Sequence, residues 1–355
     1  MSHLYLVESN LKIGYEEGQI VVRNLTTGDE RRLPFAKVDG ISVFGMPQLS
    51  TQLVRECISE NVAIGYYTED GHYIGGISPR DHVDPDRQRR QALLTEDADF
   101  CVTWAKRVVE AKIRNSLTLL ESMRDEYDFN EEELHGLRHS LDSLVYAETV
   151  DMVNGFEGNA AKAYFQCLSK LVTREEFVFN GRSTQPPKDP FNSMISYGYS
   201  LLYRNIVGAI ERHGLHTHFA FMHKIKRGHA ALASDLIEDF RAPLVDRTVL
   251  DLVNSGQIDP EGFTPNDRGG FYMAKPTMKL LTDRLAGILT QRRKFFSAYD
   301  DRRSYGFQAM LDKKIVSVIE AIEKRDATRY TPFIWEIPAP DRQDFACSED
   351  EDDDV

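Results

Sequence analysis

The stretch Pro79-Arg80-Asp81-His82-Val83-Asp84-Pro85 divides this 355-residue chain into two differently patterned parts. Proline restricts its own backbone and that of the residue before it, so a segment bracketed by two prolines is typical of a connection. The chain also exceeds the roughly 250–300 residues that one hydrophobic core usually serves. We therefore predict a linker over residues 81–98 between two domains.

Residues 1–80 show the pattern of short strands. Runs rich in β-branched and aromatic residues cover 4–7, 11–15 and 19–23, and they resume at 62–67 and 73–77. Turn signals such as Glu17-Gly18 and Asp70-Gly71 separate these runs. Apolar residues recur at helical spacing near 50–61, which predicts one helix among the strands. The N-terminal part is thus predicted to be a small β-rich domain.

Helical periodicity dominates the chain beyond the linker. Long candidate helices are predicted near residues 100–125, 131–150, 158–172, 193–212, 230–241, 245–253, 278–296 and 305–324. This pattern assigns residues 99–330 to a larger all-α domain, which also contains the candidate catalytic residues described below, and the chain to the α+β class. Residues 331–355 contain an acidic run from Glu349 to Asp354, which predicts a disordered tail.

The composition is that of an ordinary globular protein, with 41% hydrophobic and 28% charged residues. No apolar stretch approaches the roughly 20 residues of a membrane span, and no signal peptide is evident. The four cysteines form no C-x-x-C pair, which favours a reducing, cytoplasmic location. Because the net charge is −13, any contact with nucleic acid must be a local basic patch.

The candidates for chemistry come from three separate segments: Glu157, His223, Asp235 and Glu238. Glu157 lies at the apparent start of a helix, and His223 ends the apolar run 219–223. Asp235 and Glu238 are three residues apart, so a helix would place them side by side, opposite its apolar arc. Carboxylate oxygens suit Mg²⁺ or Mn²⁺, and one imidazole also fits Mn²⁺. The set predicts a divalent-metal site for phosphodiester chemistry.

Each candidate also fits an ordinary structural role. Asp235 and Glu238 fit a solvated helix face, and His223 fits a buried structural histidine. Glu157 fits a carboxylate that complements the helix dipole. Spacing alone does not distinguish His223 from its neighbours His213, His216, His218 and His229.

Basic residues close to these acids are candidate phosphate contacts. Three of them follow His223 directly, one follows Glu238, and two belong to a basic and aromatic patch near residue 293. The predicted DNA-binding residues are Lys224, Lys226, Arg227, Arg241, Arg292 and Arg293.

Several segments of the helical part match the motifs of one known family. Residues 155–165 resemble its Glu-Gly-x-Ala-Ala-x-x-Tyr-Phe motif, and residues 186–199 resemble its Asp-Pro-x-Asn-x-x-x-Ser-Tyr-Gly-Tyr motif. Residues 221–223 and 231–241 resemble its Phe-Leu-His and Ser-Leu-Ala-x-Asp-Leu-x-Glu-x-Phe-Arg motifs. The family is the CRISPR-associated integrase of spacer acquisition, the Cas-one family. Ala231 and Asn154 depart from it, since a serine and a basic residue are frequent at those two positions.

The resemblance implies that Glu157, His223 and Glu238 are metal ligands and that Asp235 is an additional catalytic acid. It implies an enzyme that inserts short DNA fragments into a CRISPR array, through attack of a 3′-hydroxyl on a repeat-boundary phosphodiester. Cleavage of branched or linear DNA is implied by the same site. The implied partners are double-stranded fragments, branched DNA, the CRISPR repeat, a second copy bound through the N-terminal domain, and a small companion of the Cas-two family.

Two other functions stay open at this point. A general metal-dependent phosphohydrolase acting on nucleotides would use the same kind of ligands. A non-catalytic DNA-binding assembly subunit would use the acids only to cap its helices.

Overall fold

The N-terminal part of the chain is built from strands, as its sequence predicts. The computed structural model describes residues 2–6, 8–67, 73–77, 83–184, 186–267, 269–290, 296–297 and 307–336. The N-terminal strands are β1 (Ser2–Leu6), β2 (Leu11–Glu16), β3 (Gln19–Asn24), β4 (Glu30–Pro34), β5 (Val38–Phe44), β6 (Gln48–Leu49), β7 (Ala63–Tyr67) and β8 (Tyr73–Ile77).

These strands form two four-stranded sheets, ordered β1-β5-β7-β8 and β4-β3-β2-β6. In the first sheet β1, β5 and β7 are parallel and β8 is antiparallel; in the second, β2, β3 and β4 form an antiparallel meander. Helix α1 (Thr51–Ser59) begins at Ser50, whose side chain accepts a hydrogen bond from Leu53 N at 3.2 Å. Ile13, Ile41 and Leu53 are fully buried between these elements.

A helix, α2 (Pro85–Leu94), occupies most of the predicted linker, so the linker prediction is wrong for those residues. Asp84 Oδ1 caps it by accepting hydrogen bonds from the next two free backbone N–H groups, and Pro85 suits its first turn. Gln91 is buried and donates to the carbonyl oxygens of His216 and Phe219, both at 2.8 Å. The segment is therefore packed against the helical part of the chain.

The larger part of the chain is mainly helical, which confirms the α+β class. Its further helices are α3 (Ala98–Ser122), α4 (Glu131–Ser143), α5 (Val150–Lys170), α6 (Pro190–Arg212), α7 (Ala231–Ile237), α8 (Arg247–Asn254), α9 (Lys275–Thr290) and α10 (Phe307–Lys324). Two short antiparallel pairs accompany them: β9 (Phe263–Pro265) with β10 (Phe271–Met273), and β11 (Phe296–Ser297) with β12 (Trp335–Glu336). None of the helices in the described residues is both long and apolar enough to cross a membrane.

Helix α5 begins eight residues earlier than the sequence predicts. Its N-cap is Thr149, whose hydroxyl accepts a hydrogen bond from Met152 N at 3.2 Å. Glu157 therefore lies about two turns inside the helix, and the prediction that it starts the helix is wrong. Gly155 and Gly158 are exposed on the same helix.

Helix α7 has no solvent-facing side, because it packs against α3 and α6. The alternative in which Asp235 and Glu238 lie on a solvated helix face is wrong: Asp235 is 0% and Glu238 4% exposed. The chain continues from α7 into a 3₁₀ turn (Glu238–Phe240), a π-helical segment (Arg241–Asp246) and then α8. Such π-helical segments often occur at functional sites.

The predicted tail begins too early. Phe333 and Trp335 are buried in the helical core. The backbone N–H of Phe333 donates to Asp239 at 2.7 Å, and that of Trp335 donates to Asn115 at 2.8 Å. Residues 331–336 thus belong to the folded body, whereas the acidic residues 337–355 lie outside the described residues, as do Arg292 and Arg293.

Candidate functional site

Three of the predicted residues meet at one cavity, which we name the His223 cavity. Glu157 comes from α5, Glu238 from the 3₁₀ turn after α7, and His223 from the loop between α6 and α7. The cavity has a volume of about 300 Å³ and is lined by Asn154, Glu157, Met222, His223, Lys224, Lys226, His229 and Glu238. Glu157, which is 66 positions before His223 in the sequence, is thereby brought together with His223 and Glu238.

Asp235, the fourth predicted residue, lies beneath this cavity and does not line it. Its Oδ2 accepts hydrogen bonds from Phe221 N at 3.0 Å, Met222 N at 3.1 Å and Trp104 Nε1 at 3.0 Å. Its Oδ1 accepts from His223 N at 2.9 Å and contacts His223 Nδ1 at 2.8 Å. Five donors therefore surround one fully buried carboxylate, which shapes the loop that carries His223.

The contact with Asp235 also fixes the orientation of the His223 ring. A carboxylate only accepts hydrogen bonds, so Nδ1 carries the proton and Nε2 of the neutral ring is left as a possible metal ligand. Nε2 lies 3.9 Å from Glu238 Oε1. Burial lowers the pKa of His223, but the hydrogen bond and charge of Asp235 and the charge of Glu238 outweigh it, and the net shift is upward.

Two cations hold the carboxylate of Glu238. Arg241 Nη2 lies 3.0 Å from Oε1, and Lys112 Nζ lies 2.6 Å from Oε2 in an ion pair that lacks hydrogen-bond geometry. Lys112 Nζ also donates a short hydrogen bond to Glu157 Oε1. Burial raises the pKa of Glu238, but the positive charges of Arg241, Lys112 and His223 have a larger and opposite effect. The net pKa is lowered to about 2. Glu238 is therefore ionised at neutral pH despite its burial.

A second cavity lies behind the two glutamates, and we name it the Tyr199 cavity. It has a volume of about 260 Å³ and shares Glu157 and Glu238 with the His223 cavity. The cations that line it are Lys112, Arg182 and Arg241. Arg182 and Arg241 both lie over the ring of Tyr199, at 5.4 and 4.5 Å from its centroid.

Asp246 forms the buried floor of the Tyr199 cavity. It accepts hydrogen bonds from Tyr164 at 2.8 Å and Tyr199 at 2.6 Å, which joins α5, α6 and the π-helical segment. Burial raises the pKa of Asp246 to about 6, against the lowering effect of the two tyrosines and two nearby arginines. Sequence reasoning missed these residues and Lys112, although Tyr164 and Tyr199 lie within the family-like segments.

The predicted DNA-binding residues lie in different surroundings. Lys224 and Lys226 line the His223 cavity and are exposed, and Arg227 is exposed in the same turn. Arg241 is ion-paired with Glu238 and stacked on Tyr199, so it belongs to the interior of the site.

Of the rival histidines, His229 also lines the His223 cavity, where its Nε2 lies 3.1 Å from the Ser234 hydroxyl. Burial lowers the pKa of His229. His213 does not line the cavity; its Nε2 lies 3.1 Å from Asp312 Oδ1.

The residues of the His223 cavity fit a hard divalent cation by their donor chemistry. Two carboxylates and an imidazole nitrogen come from three separate segments, and a third carboxylate, that of Asp235, orients the imidazole. In the part of the chain that the structure describes, no three His, Cys, Asp or Glu side chains are already arranged to hold a metal ion. Lys112 and Arg241 contact the carboxylate oxygens there.

Comparison with known proteins settles the family. The model of the family "CRISPR associated protein Cas1" matches residues 4–286. The chain belongs to the Cas1 family. It is 39% identical over 330 residues to the CRISPR-associated endonuclease Cas1 of Mycobacterium tuberculosis, covering 93% of this chain and 96% of that protein. Family membership supports a nuclease or integrase in a CRISPR system.

Solved structures share the fold of this Cas1 chain at lower sequence identity. A casposase bound to integration product has a TM-score of 0.75 at 22% identity, covering 92% of this chain and 93% of that chain. A partial Cas6-RT-Cas1–Cas2 complex contains a chain with a TM-score of 0.71 at 20% identity, covering 93% of this chain and 98% of that chain.

Proposed function

We propose that this Cas1 chain is a metal-dependent DNA endonuclease and integrase that inserts short DNA fragments into a CRISPR array. The observation that carries the proposal is the His223 cavity, where Glu157, Glu238 and an Asp235-oriented His223 meet beside exposed lysines. Phosphodiester chemistry needs little covalent participation by the protein, so positioning and charge neutralisation are its main requirements.

Glu157, Glu238 and His223 Nε2 would hold Mg²⁺ or Mn²⁺. A bound ion of this kind would polarise the phosphoryl oxygen, help to activate the attacking hydroxyl and stabilise the leaving oxygen. Asp235 positions the imidazole, and Arg241 and Lys112 keep Glu238 ionised for ligation. Asp235 thus acts through His223 rather than on the DNA.

The reaction exchanges one phosphodiester bond for another. The 3′-oxygen of a fragment forms a bond to the phosphorus at the repeat boundary, and the bond from that phosphorus to the leaving oxygen of the cut strand breaks. The attacking hydroxyl gives its proton to solvent, and the leaving oxygen takes up a proton from solvent to become the new hydroxyl. Lys224 and Lys226 at the rim would contact the neighbouring phosphates. Hydrolysis of branched or linear DNA would use the same residues, with water in place of the 3′-hydroxyl.

The proposed partners are double-stranded fragments, branched DNA and the CRISPR repeat. Cas1–Cas2 complexes among the structural neighbours support a small Cas2 companion. We extend the proposal to a homodimer through the N-terminal sheets and to a cytoplasmic location. A two-fold assembly would place two active sites at a separation set by the fragment.

A nuclease and strand-transfer assay on labelled branched DNA with Mn²⁺ tests the proposal. Glu157→Gln and His223→Asn should each abolish both cleavage and strand transfer, whereas Glu132→Gln on the exposed surface of α4 should retain them. Full activity of both site variants would contradict the proposed site. Turnover of mononucleotides with no DNA product would favour a general phosphohydrolase. Tight, metal-independent DNA binding without any product would favour a non-catalytic assembly subunit.

A further inference from the structure

Glu157 and Glu238 lie between the His223 cavity and the Tyr199 cavity, and both glutamates line both cavities. His223 lines only the cavity named after it, whereas Lys112 lines only the Tyr199 cavity. Lys112 Nζ contacts Glu157 Oε1 and Glu238 Oε2. Glu238 Oε1 is the oxygen that lies nearer to His223 Nε2, at 3.9 Å. Glu238 therefore presents one oxygen to the ammonium and the other towards the imidazole.

Lys112 is held firmly in this position. It lies in the middle of α3, the 25-residue helix whose Trp104, Ala105 and Val109 are fully buried. Its ammonium contacts Glu157 from α5 and Glu238 from the 3₁₀ turn after α7. The ammonium is thus a fixed positive charge that bridges carboxylates from two other elements.

The ammonium can also reach a ligand. An –NH₃⁺ group has three N–H donors. Lys112 donates one hydrogen bond to Glu157 and forms an ion pair with Glu238, which leaves a third donor for a ligand. The side chain is 19% exposed and faces the Tyr199 cavity, where Arg182 and Arg241 supply further positive charge. A phosphate oxygen that enters beside the two glutamates would meet this third donor.

We propose that Lys112 is the second cation of the catalytic centre, in the place that a second metal ion takes in two-metal phosphodiester enzymes. One divalent ion binds on the His223 side of Glu157 and Glu238, and the Lys112 ammonium contacts the reacting phosphodiester from the Tyr199 side. This inference rests on the proposed function, because it takes the metal ligands assigned there.

The charge distribution argues against a second divalent ion in the position of the ammonium. Such an ion would have to displace a partly buried ammonium from two carboxylates, and it would lie among the positive charges of Arg182 and Arg241. We therefore expect one divalent ion for each chain.

The first test measures Mn²⁺ binding by the full chain without DNA, from the electron paramagnetic resonance signal of free Mn²⁺. We expect one bound ion per unaltered chain. Two bound ions per chain would overturn the role of Lys112 and leave the proposed metal site standing. No bound ion would overturn the metal site of the proposed function itself. This measurement needs no substitution, so it holds even where a variant fails to fold.

The second test compares Lys112→Met, Lys112→Arg and the matched control Lys106→Met on the same helix, where Lys106 donates to Val145 O at the surface. We expect Lys112→Met to lose about 100-fold in kcat at saturating Mn²⁺, in line with the loss of one preorganised transition-state donor. Its KM for DNA should change little and its Mn²⁺ affinity should not weaken. Lys112→Arg should recover part of kcat, and Lys106→Met should match the unaltered chain.

Two results would overturn the proposal. Unchanged kcat in Lys112→Met would show that the ammonium does not stabilise the transition state. Loss of Mn²⁺ binding in that variant would show that Lys112 serves only to hold the two glutamates together.

Discussion

His223 Nδ1 lies 2.8 Å from Asp235 Oδ1, and the backbone N–H of His223 donates to the same oxygen at 2.9 Å. One carboxylate oxygen therefore fixes both the ring and the backbone of the candidate ligand. The second oxygen of Asp235 holds the preceding residues Phe221 and Met222. The buried carboxylate of Asp235 therefore stabilises the loop conformation that brings His223 to the cavity.

Asp235→Asn should weaken Mn²⁺ binding about 10- to 100-fold, as loss of a partner to a ligating histidine usually does. An amide offers only one acceptor oxygen, so some backbone N–H groups of residues 221–223 lose their partner, at a cost of about 1–3 kcal/mol each. Mn²⁺ titration and urea unfolding would measure the two effects separately. Asp142→Asn, on the exposed face of α4, is the matched control. Unchanged Mn²⁺ affinity in a folded Asp235→Asn chain would contradict the positioning role.

Local patterns in the sequence predict the classes of the elements well. Runs rich in β-branched and aromatic residues predict strands over residues 1–80, and helical spacing predicts helices beyond residue 99; the structure confirms both classes. The start of α5 is wrong because the prediction began at Gly158 and overlooked the N-cap at Thr149. The burial of α7 could not be predicted, because acidic residues beside its apolar arc suggest a side that faces solvent. In the folded chain α3 and α6 pack against this helix, and all of its residues are buried.

The site is predicted less by spacing than by resemblance to a family. Nothing local separates His223 from four nearby histidines, and the contact with Asp235 appears only in the folded chain. Lys112 was missed for the same reason, because it stands far in sequence from Glu157 and Glu238, the residues that it contacts. The roles of Glu157, His223 and Glu238 as ligands stay predictions, to which the structure adds a common cavity.

Lys226→Ala should weaken DNA binding and reduce its salt dependence. Lys226 is exposed at the rim of the His223 cavity, so its proposed contact is with phosphate and carries no base preference. Loss of one phosphate contact lowers the slope of log K against log salt by about 1. Fluorescence anisotropy at several salt concentrations would measure that slope, with Lys37→Ala in the N-terminal domain as the control. Equal slopes in the two variants would show that Lys226 does not contact DNA.

Gly158→Ala should raise stability and lower DNA affinity together. A Cβ at Gly158 would meet nothing within 4 Å, and alanine in a helix interior is favoured over glycine by about 0.5–1 kcal/mol. The open side of this glycine adjoins Glu157, where we expect the DNA backbone to approach closely. Urea unfolding and anisotropy would give the two readouts.

Gly136→Ala on α4 provides the contrast for that experiment, because its new Cβ would lie 2.8 Å from the Ala163 Cβ. This variant should be destabilised, since α4 and α5 would have to move apart to accommodate the new methyl group. A Gly158→Ala chain that is more stable and binds DNA unchanged would show that the glycine is not needed for DNA approach.

Asp246→Asn should change how stability depends on pH between about 4 and 6. Burial raises the pKa of Asp246 to about 6 in the folded chain, above the value of about 3.9 for an unfolded aspartate. Between these values the native state holds a proton that the unfolded chain has lost, so this group makes the native chain less stable as the pH rises. The asparagine stays neutral, and the variant should gain about 1–3 kcal/mol relative to the unaltered chain from pH 4 to pH 6. Urea unfolding at half-unit pH steps would measure that difference, with the exposed Asp128→Asn as the control; a flat difference curve for Asp246→Asn would contradict the raised pKa.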